Sequence, residues 1–103
     1  MSERALSHPD EVAALMGAAQ PDARLIQARF RESLDAYVQH RYQPGGFLTA
    51  VLSNDLFEAF GRGDAAAIVN LPHIVSYIYN ELPSGCHGSP ERVRAWLREG
   101  GAS

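Results

Sequence analysis

The adjacent cysteine and histidine at positions 86 and 87 are the first residues that could do chemistry. A nucleophilic thiolate needs a base within reach, and neighbouring loop residues usually point apart. A zinc site needs three or four ligands at regular spacing. The four histidines, at positions 8, 40, 73 and 87, form no CxxC, HxxxH or HExxH pattern with each other or with the cysteine. The sequence therefore predicts no catalytic residue, no metal site and no cofactor, and Cys86 is expected to be a loop thiol that is dispensable for chemistry.

Asp55 is the most informative single residue. A helix predicted over 47–60 would place its carboxylate on an apolar face at 100° per residue. The apolar neighbours on that face are Leu48, Leu52, Leu56 and Ala59. A buried carboxylate must be paired or hydrogen-bonded, so we expect Asp55 to be a structural buried polar residue. Its donor could be Arg41 or the amides near 89–91, and a contact with a partner protein is the competing interpretation.

Several polar and aromatic residues are candidates for binding a partner protein. His73, Tyr77 and Asn80 share the face of the predicted fourth helix opposite its apolar stripe, and Phe57 points away from the apolar face of the third. Such a mixture is typical of binding hot spots, although single exposed aromatics are also common. Arg62 is added because a guanidinium makes planar bidentate contacts. Two copies of the chain could also pair through these helices as a homodimer.

The elements that would position these residues are all helical. Apolar spacing, caps and Gly or Pro breaks predict an all-α, compact bundle of four to five short helices, at 7–19, 22–42, 47–60, 72–82 and 90–99. Pro72 should impose a break or kink at 70–71. The second helix should bury one face, formed by Ile26, Phe30, Leu34, Tyr37 and Val38. The fourth should bury Leu71, Ile74, Val75, Ile78 and Leu82. No stretch alternates with the period of two that a strand needs.

Length and charge exclude several classes of protein. The 103 residues allow one domain, 1–103, with frayed ends at 1–6 and 100–103. Nine Arg and no Lys face twelve acids, and the net charge of −3 argues against a general nucleic-acid surface. No apolar run approaches the length of a membrane span, and the N-terminus has no apolar signal region. A single cysteine favours the cytosol.

Two stretches resemble a group of small proteins encoded by phages, prophages and plasmids. The stretches are PGGFLTAVLSNDLFEAFGRGD and HIVSYIYNELPSGCHGSPERVRAWL, within residues 44–97. The recurring words are GGFL, NDL, YIYN and the ending GS-x-E-x-V-x-x-W. Many of these proteins place an aromatic residue at the position of His87. The resemblance brings no assigned activity or catalytic residue, but it implies a mobile-element context in which such genes often encode inhibitors of host proteins.

Together these features favour a non-enzymatic protein that binds a host protein in the host cytoplasm. It would block or modulate that protein by steric contact, and inhibition of a CRISPR–Cas complex is the specific form that the resemblance suggests. A small regulator that binds DNA through a helix-turn-helix-like core is the alternative. One property separates the two hypotheses: the regulator must bind DNA, with an affinity that falls strongly as the salt concentration rises.

Overall fold

The computed structural model describes residues 21–102, and the side chains up to residue 99. This part of the chain forms five α-helices: α1 (Ala28–His40), α2 (Gly46–Leu52), α3 (Leu56–Arg62), α4 (Ala65–Glu81) and α5 (Pro90–Ala102). Short 3-10 turns lie at Ala23–Leu25 and Ser84–Cys86. No strand occurs among these residues, so the all-α prediction is confirmed. The predicted helix at 7–19 and the frayed end at 1–6 lie outside the described residues.

The apolar face of α1 enters the core as its periodicity predicts. Phe30 is buried, and Leu34 and Tyr37 are inaccessible to solvent. The predicted helix at 22–42 is nevertheless shorter in the structure. Asp22 caps the 3-10 turn by accepting a hydrogen bond from the Arg24 amide, the chain then extends, and α1 begins at Ala28. The Asp22 cap thus starts a separate short turn, and this turn ends before α1 begins.

The predicted third helix is wrong, because the chain forms two helices there. Ser53 and Asn54 make a turn between α2 and α3, and Asn54 adopts the left-handed conformation with φ 62°. Asparagine tolerates this conformation better than most residues. Asp55 then caps α3 by accepting a hydrogen bond from the Glu58 amide. Three short polar side chains in succession favour turn and cap geometry over a continuous helix.

The predicted start of the fourth helix at 72 is also wrong, since no break occurs at Pro72 and α4 runs without interruption from Ala65 to Glu81. Proline removes one backbone hydrogen bond inside a helix. Tertiary contacts hold α4 on both sides of it: the side chains of Asn70 and His73 accept hydrogen bonds from the amides of Gln27 and Asp22. Packing against the chain before α1 therefore keeps a helix that local sequence disfavours.

The loop before α5 is fastened to the core. The Tyr37 hydroxyl donates to the Cys86 carbonyl at 2.8 Å, and the Gly88 amide donates to the Leu52 carbonyl at 2.8 Å. Gly88 has φ 114°, a value that side chains rarely allow. Trp96 of α5 donates from Nε1 to the Tyr37 carbonyl at 3.0 Å. These bonds hold the loop and α5 against α1 and α2.

Candidate protein-interaction surface

Asp55 is exposed, so the prediction that it is a buried polar residue is wrong. Its carboxylate caps α3, and neither predicted donor reaches it. Arg41 donates to the Val38 carbonyl and stacks on the Trp96 ring at 3.7 Å. Just beyond the predicted amides of 89–91, the Arg92 amide donates to the Ser89 hydroxyl. The physical reason is the turn at 53–54, which takes residue 55 off the apolar face that a continuous helix would have given it.

Asp55→Ala should therefore lower the free energy of unfolding by about 1 kcal/mol, the usual value of an N-cap. This is smaller than the ~2–4 kcal/mol expected for a buried carboxylate. Asp55→Asn should cost less than Asp55→Ala, because an amide oxygen can also accept from the Glu58 amide. Urea denaturation of the three proteins measures this, and a loss from Asp55→Ala above about 3 kcal/mol would contradict the capping role.

His73 and Tyr77 do not form the open partner face that the sequence predicted. His73 is 7% exposed, and its Nδ1 accepts a hydrogen bond from the Asp22 amide at 3.1 Å. Tyr77 is half-buried and donates to the Asp35 carboxylate at 2.5 Å. Asn80 is exposed but donates to the Ser76 carbonyl of its own helix. This side of α4 packs against α1 and the chain before it, which helical periodicity alone could not show.

Because of the Tyr77 hydroxyl, we expect the folded protein to lose stability at alkaline pH. Burial, and then the hydrogen bond to Asp35 and its charge, raise the pKa of Tyr77 to about 12. The folded-state pKa lies above the unfolded value of about 10. The contribution of Tyr77 to the free energy of unfolding is therefore complete below pH 10 and is lost as the pH rises towards 12.

We expect the free energy of unfolding to fall over this pH range, and to fall less steeply in Tyr77→Phe. Urea denaturation at a series of alkaline pH values measures the slope. Tyr79→Phe is the matched control, because Tyr79 is 78% exposed on the same helix. Equal slopes for the wild type and Tyr77→Phe would show that this hydroxyl does not titrate in the predicted way.

Three large apolar side chains on α3 face solvent. Leu56 is 62% exposed, Phe57 is 89% exposed and Phe60 is 61% exposed, whereas the buried residue of this helix is Ala59. We call Leu56, Phe57 and Phe60 the α3 stripe. Arg62 lies at the end of the same helix and pairs with Glu58 one turn earlier. The outward position predicted for Phe57 is confirmed, while Leu56 was expected on the apolar face.

A groove runs beside α4 from α3 to α5, and we call it the α4 groove. Its first part, a cavity of about 80 Å³, lies between Leu56 and Ala59 of α3 and Leu71 and Val75 of α4. Its second part, of about 350 Å³, is lined by residues that include Val75, Ile78, Tyr79, His87 and Arg92. Val51, Asn54 and Val75 line both parts. The two parts therefore adjoin each other along one side of α4.

Sequence reasoning missed this groove because it assigned Leu71 and Val75 to the core. Leu71 is half-buried and Val75 is 47% exposed, in contrast to the buried Ile74 and Ile78. A signal was present in the sequence: residues 71, 75 and 79 recur every four positions and share a side of the helix. The tyrosine at 79, which tolerates water at its hydroxyl, marks that side as the edge of the apolar face.

Cys86 and His87 lie in the loop before α5, where burial disfavours the charged form of each side chain. Cys86 is fully buried, and burial raises the pKa of its thiol to about 11, so the thiolate is disfavoured. Burial lowers the pKa of His87, and its Nε2 has no hydrogen-bond partner among the described residues. Within residues 21–99, no three His, Cys, Asp or Glu side chains come together as a possible metal site.

Several of the described arginines form ion pairs with carboxylates at the surface. In the described part of the chain, ion pairs join Arg24 to Asp22, Arg29 to Asp64, Arg62 to Glu58 and Arg94 to Glu91. All eight of these side chains are at least 31% exposed, so each pair stabilises the fold little. Each pair nevertheless places a carboxylate beside a positive charge. A face that binds nucleic acid instead clusters its positive charges.

None of the helices described between residues 21 and 102 has the length and apolar character to cross a membrane. No protein-family model, curated protein or solved structure matches this chain.

Proposed function

We propose that this chain is a non-enzymatic protein of phage or mobile-element origin that binds a host protein in the cytoplasm and blocks or modulates it by steric contact. The observation that carries the proposal is the α3 stripe. A helix of seven residues exposes Leu56, Phe57 and Phe60 and buries Ala59. A contiguous patch of exposed apolar side chains is typical of an interaction site.

The energetics of the stripe suit a binding role. Transferring one large apolar side chain from water to a contact contributes about 1.5–3 kcal/mol. Phe57 and Phe60 lie one turn apart on α3, so both can enter a single apolar cleft on a partner. Aromatic anchors are enriched at the centres of such interfaces. The ion pair of Arg62 with Glu58 at the side of the stripe would lie at the polar rim.

The target class comes from the resemblance to phage and plasmid proteins. Inhibitors of CRISPR–Cas complexes from such elements are short, need no cofactor, and act by covering a surface. The α3 stripe supports this mode of action, because it offers contact area and places no reactive group there. We therefore propose a CRISPR–Cas surveillance complex as the host target.

The test is phage plating on cells that carry an active CRISPR–Cas system with a matching spacer. The wild-type chain should restore plaques. The double variant Phe57→Asp/Phe60→Asp should not, because two anchors at about 2 kcal/mol each change affinity roughly a thousandfold. Val69→Asp is the matched control, since Val69 is an apolar residue of α4 that is 77% exposed and outside the stripe. It should restore plaques as the wild type does.

A second experiment separates the target from the binding mode. Tagged wild type, Val69→Asp and Phe57→Asp/Phe60→Asp are used as baits, with circular dichroism to confirm that all three fold. A partner held by the first two baits and lost from the third supports binding through the stripe. Equal capture by all three baits would refute it. Binding of a DNA duplex with a steep dependence on salt would favour the regulator instead.

A further inference from the structure

The two ends of the α4 groove carry opposite charges. Asp55 lines the first part of the groove, next to Leu56 and Leu71. Arg92 lines the second part, next to Tyr79. From position 71 to position 79, α4 rises about 12 Å at 1.5 Å per residue. The groove is thus an apolar strip about two helical turns long, with a carboxylate at one end and a guanidinium at the other.

Neither end charge has an ion-pair partner among the described residues. The Asp55 carboxylate accepts a hydrogen bond from the Glu58 amide. Arg92 donates from one nitrogen to the carbonyls of Ser84 and His87, both at 3.3 Å. The ion pairs of Arg24, Arg29, Arg62 and Arg94 involve neither residue. The loop carbonyls thus hold the Arg92 guanidinium beside the groove, and within the part of the chain that the structure describes no carboxylate is paired with it.

Between the two charges the groove presents mostly apolar surface to water, and Asn54 is the polar residue that lines both parts. Val75 lies in the middle and belongs to both parts of the groove. It is 47% exposed, and Tyr79, one turn further along α4, is 78% exposed. Val51 of α2 lines the opposite wall along both parts. A partner that covers this strip must be apolar at its centre and must supply a cation at the Asp55 end and an anion at the Arg92 end.

A second copy of this chain has this pattern. In an isologous pair related by a two-fold axis, each contact between two different residues occurs twice. If the axis passes near Val75, the two α4 helices run antiparallel, and Asp55 of each copy faces Arg92 of the other. We propose that the α4 groove is the dimer interface of this protein, closed by two symmetry-related Asp55–Arg92 ion pairs around Val75 and Tyr79.

This interface differs from the pairing through Phe57, His73, Tyr77 and Asn80 that the sequence suggested. His73 and Tyr77 are bonded to Asp22 and Asp35 within the chain, on another side of α4. The dimer contact centres on Val75 and does not require Phe57. The inference does not rest on the proposed host target, and the two can fail separately.

Sedimentation across micromolar concentrations tests the dimer directly. The wild type should approach twice its chain mass of 11.2 kDa as concentration rises. Val75→Asp and Tyr79→Asp each place a charge in the apolar strip and should raise the dissociation constant at least about tenfold. Both positions are exposed, so these variants should keep the wild-type circular dichroism spectrum. Phe57→Asp is the matched control and should dimerise as the wild type does.

Charge reversal tests the antiparallel arrangement. Asp55→Arg gives a groove with a cation at both ends, and Arg92→Asp gives one with a carboxylate at both ends. Each variant alone should be a monomer, whereas an equimolar mixture should form a heterodimer, because both contacts between the two variants are then attractive. Asp55→Asn keeps an acceptor for the α3 cap, so weaker association in that variant reports the lost charge rather than lost folding.

A wild type that stays monomeric through this concentration range would overturn the proposal. Dimers that persist in Val75→Asp and Tyr79→Asp would place the interface elsewhere. Failure of the folded charge-reversed variants to associate on mixing would exclude the antiparallel pairing.

Discussion

Asn70→Ala should lower the free energy of unfolding by about 1–3 kcal/mol, because it removes two hydrogen bonds to partly buried backbone groups at once. Asn70 is 6% exposed on α4. Its Oδ1 accepts from the Gln27 amide at 2.9 Å, and its Nδ2 donates to the Leu25 carbonyl at 3.0 Å. Alanine can make neither of these hydrogen bonds.

The effect should be large because the chain at 22–27 depends on α4 for its hydrogen bonds. It contains a 3-10 turn and an extended stretch, and it lacks the regular bonding of a longer helix. His73, three residues after Asn70 and on the same side of α4, accepts from the Asp22 amide. Removing Asn70 should therefore loosen the entry to α1 as well as the local contact.

Urea denaturation followed by circular dichroism measures the change. Asn80→Ala is the matched control, because Asn80 is exposed on the same helix and bonds within its own turn. It should change stability by no more than about 0.5 kcal/mol. Asn70→Asp keeps the acceptor and loses the donor, so it should fall between the two. Equal stability of Asn70→Ala and Asn80→Ala would contradict the clamp between α4 and the 22–27 segment.

Tyr37→Ala should be at least as damaging, at about 3–5 kcal/mol for loss of a fully buried aromatic side chain. Tyr37 is inaccessible to solvent at the centre of the core, and its ring lies 6.3 Å from the Trp96 ring. Tyr37→Phe separates the hydroxyl from the ring. It should cost about 1–2 kcal/mol, because the Cys86 carbonyl loses its buried donor while the packing stays.

The single tryptophan reports this change independently of stability. Trp96 packs beside Tyr37 and donates to its carbonyl at 3.0 Å. Tyr37→Ala should shift tryptophan emission to longer wavelength as water enters, and Tyr37→Phe should leave it near the wild-type value. Tyr42→Ala is the control, since Tyr42 is 65% exposed. Unchanged emission together with unchanged stability in Tyr37→Ala would contradict the central position of this ring.

The helical class and the apolar face of α1 could be predicted from the sequence because both depend on local periodicity. Phe30, Leu34 and Tyr37 recur at steps of three and four, and a helix cannot expose such a face without losing most of its stabilisation. The outward position of Phe57 follows from the same spacing. The helix boundaries were less predictable, because Asp55 could extend one helix or cap another, and these choices differ by about 1 kcal/mol.

The candidate site could not be predicted in the same way, because it depends on which face of each helix meets a neighbour. The sequence assigned Val75 to the core and His73 to solvent, and the structure reverses both assignments. His73 is buried because its Nδ1 has a backbone donor 51 residues away, at Asp22. Leu56 is exposed because the turn at Asn54 rotates α3.

The sequence by itself determined an all-helical chain, its main buried face and an outward aromatic at Phe57, since these follow from spacing within single helices. The tertiary structure alone decided that α4 continues through Pro72, that Asp55 caps a helix at the surface, and that an apolar groove with opposite charges at its ends lies along α4. The physical reason is the range of the interactions. Periodicity and capping act over about four residues. The hydrogen bonds of Asn70 and His73 and the walls of the groove join residues that are tens of positions apart.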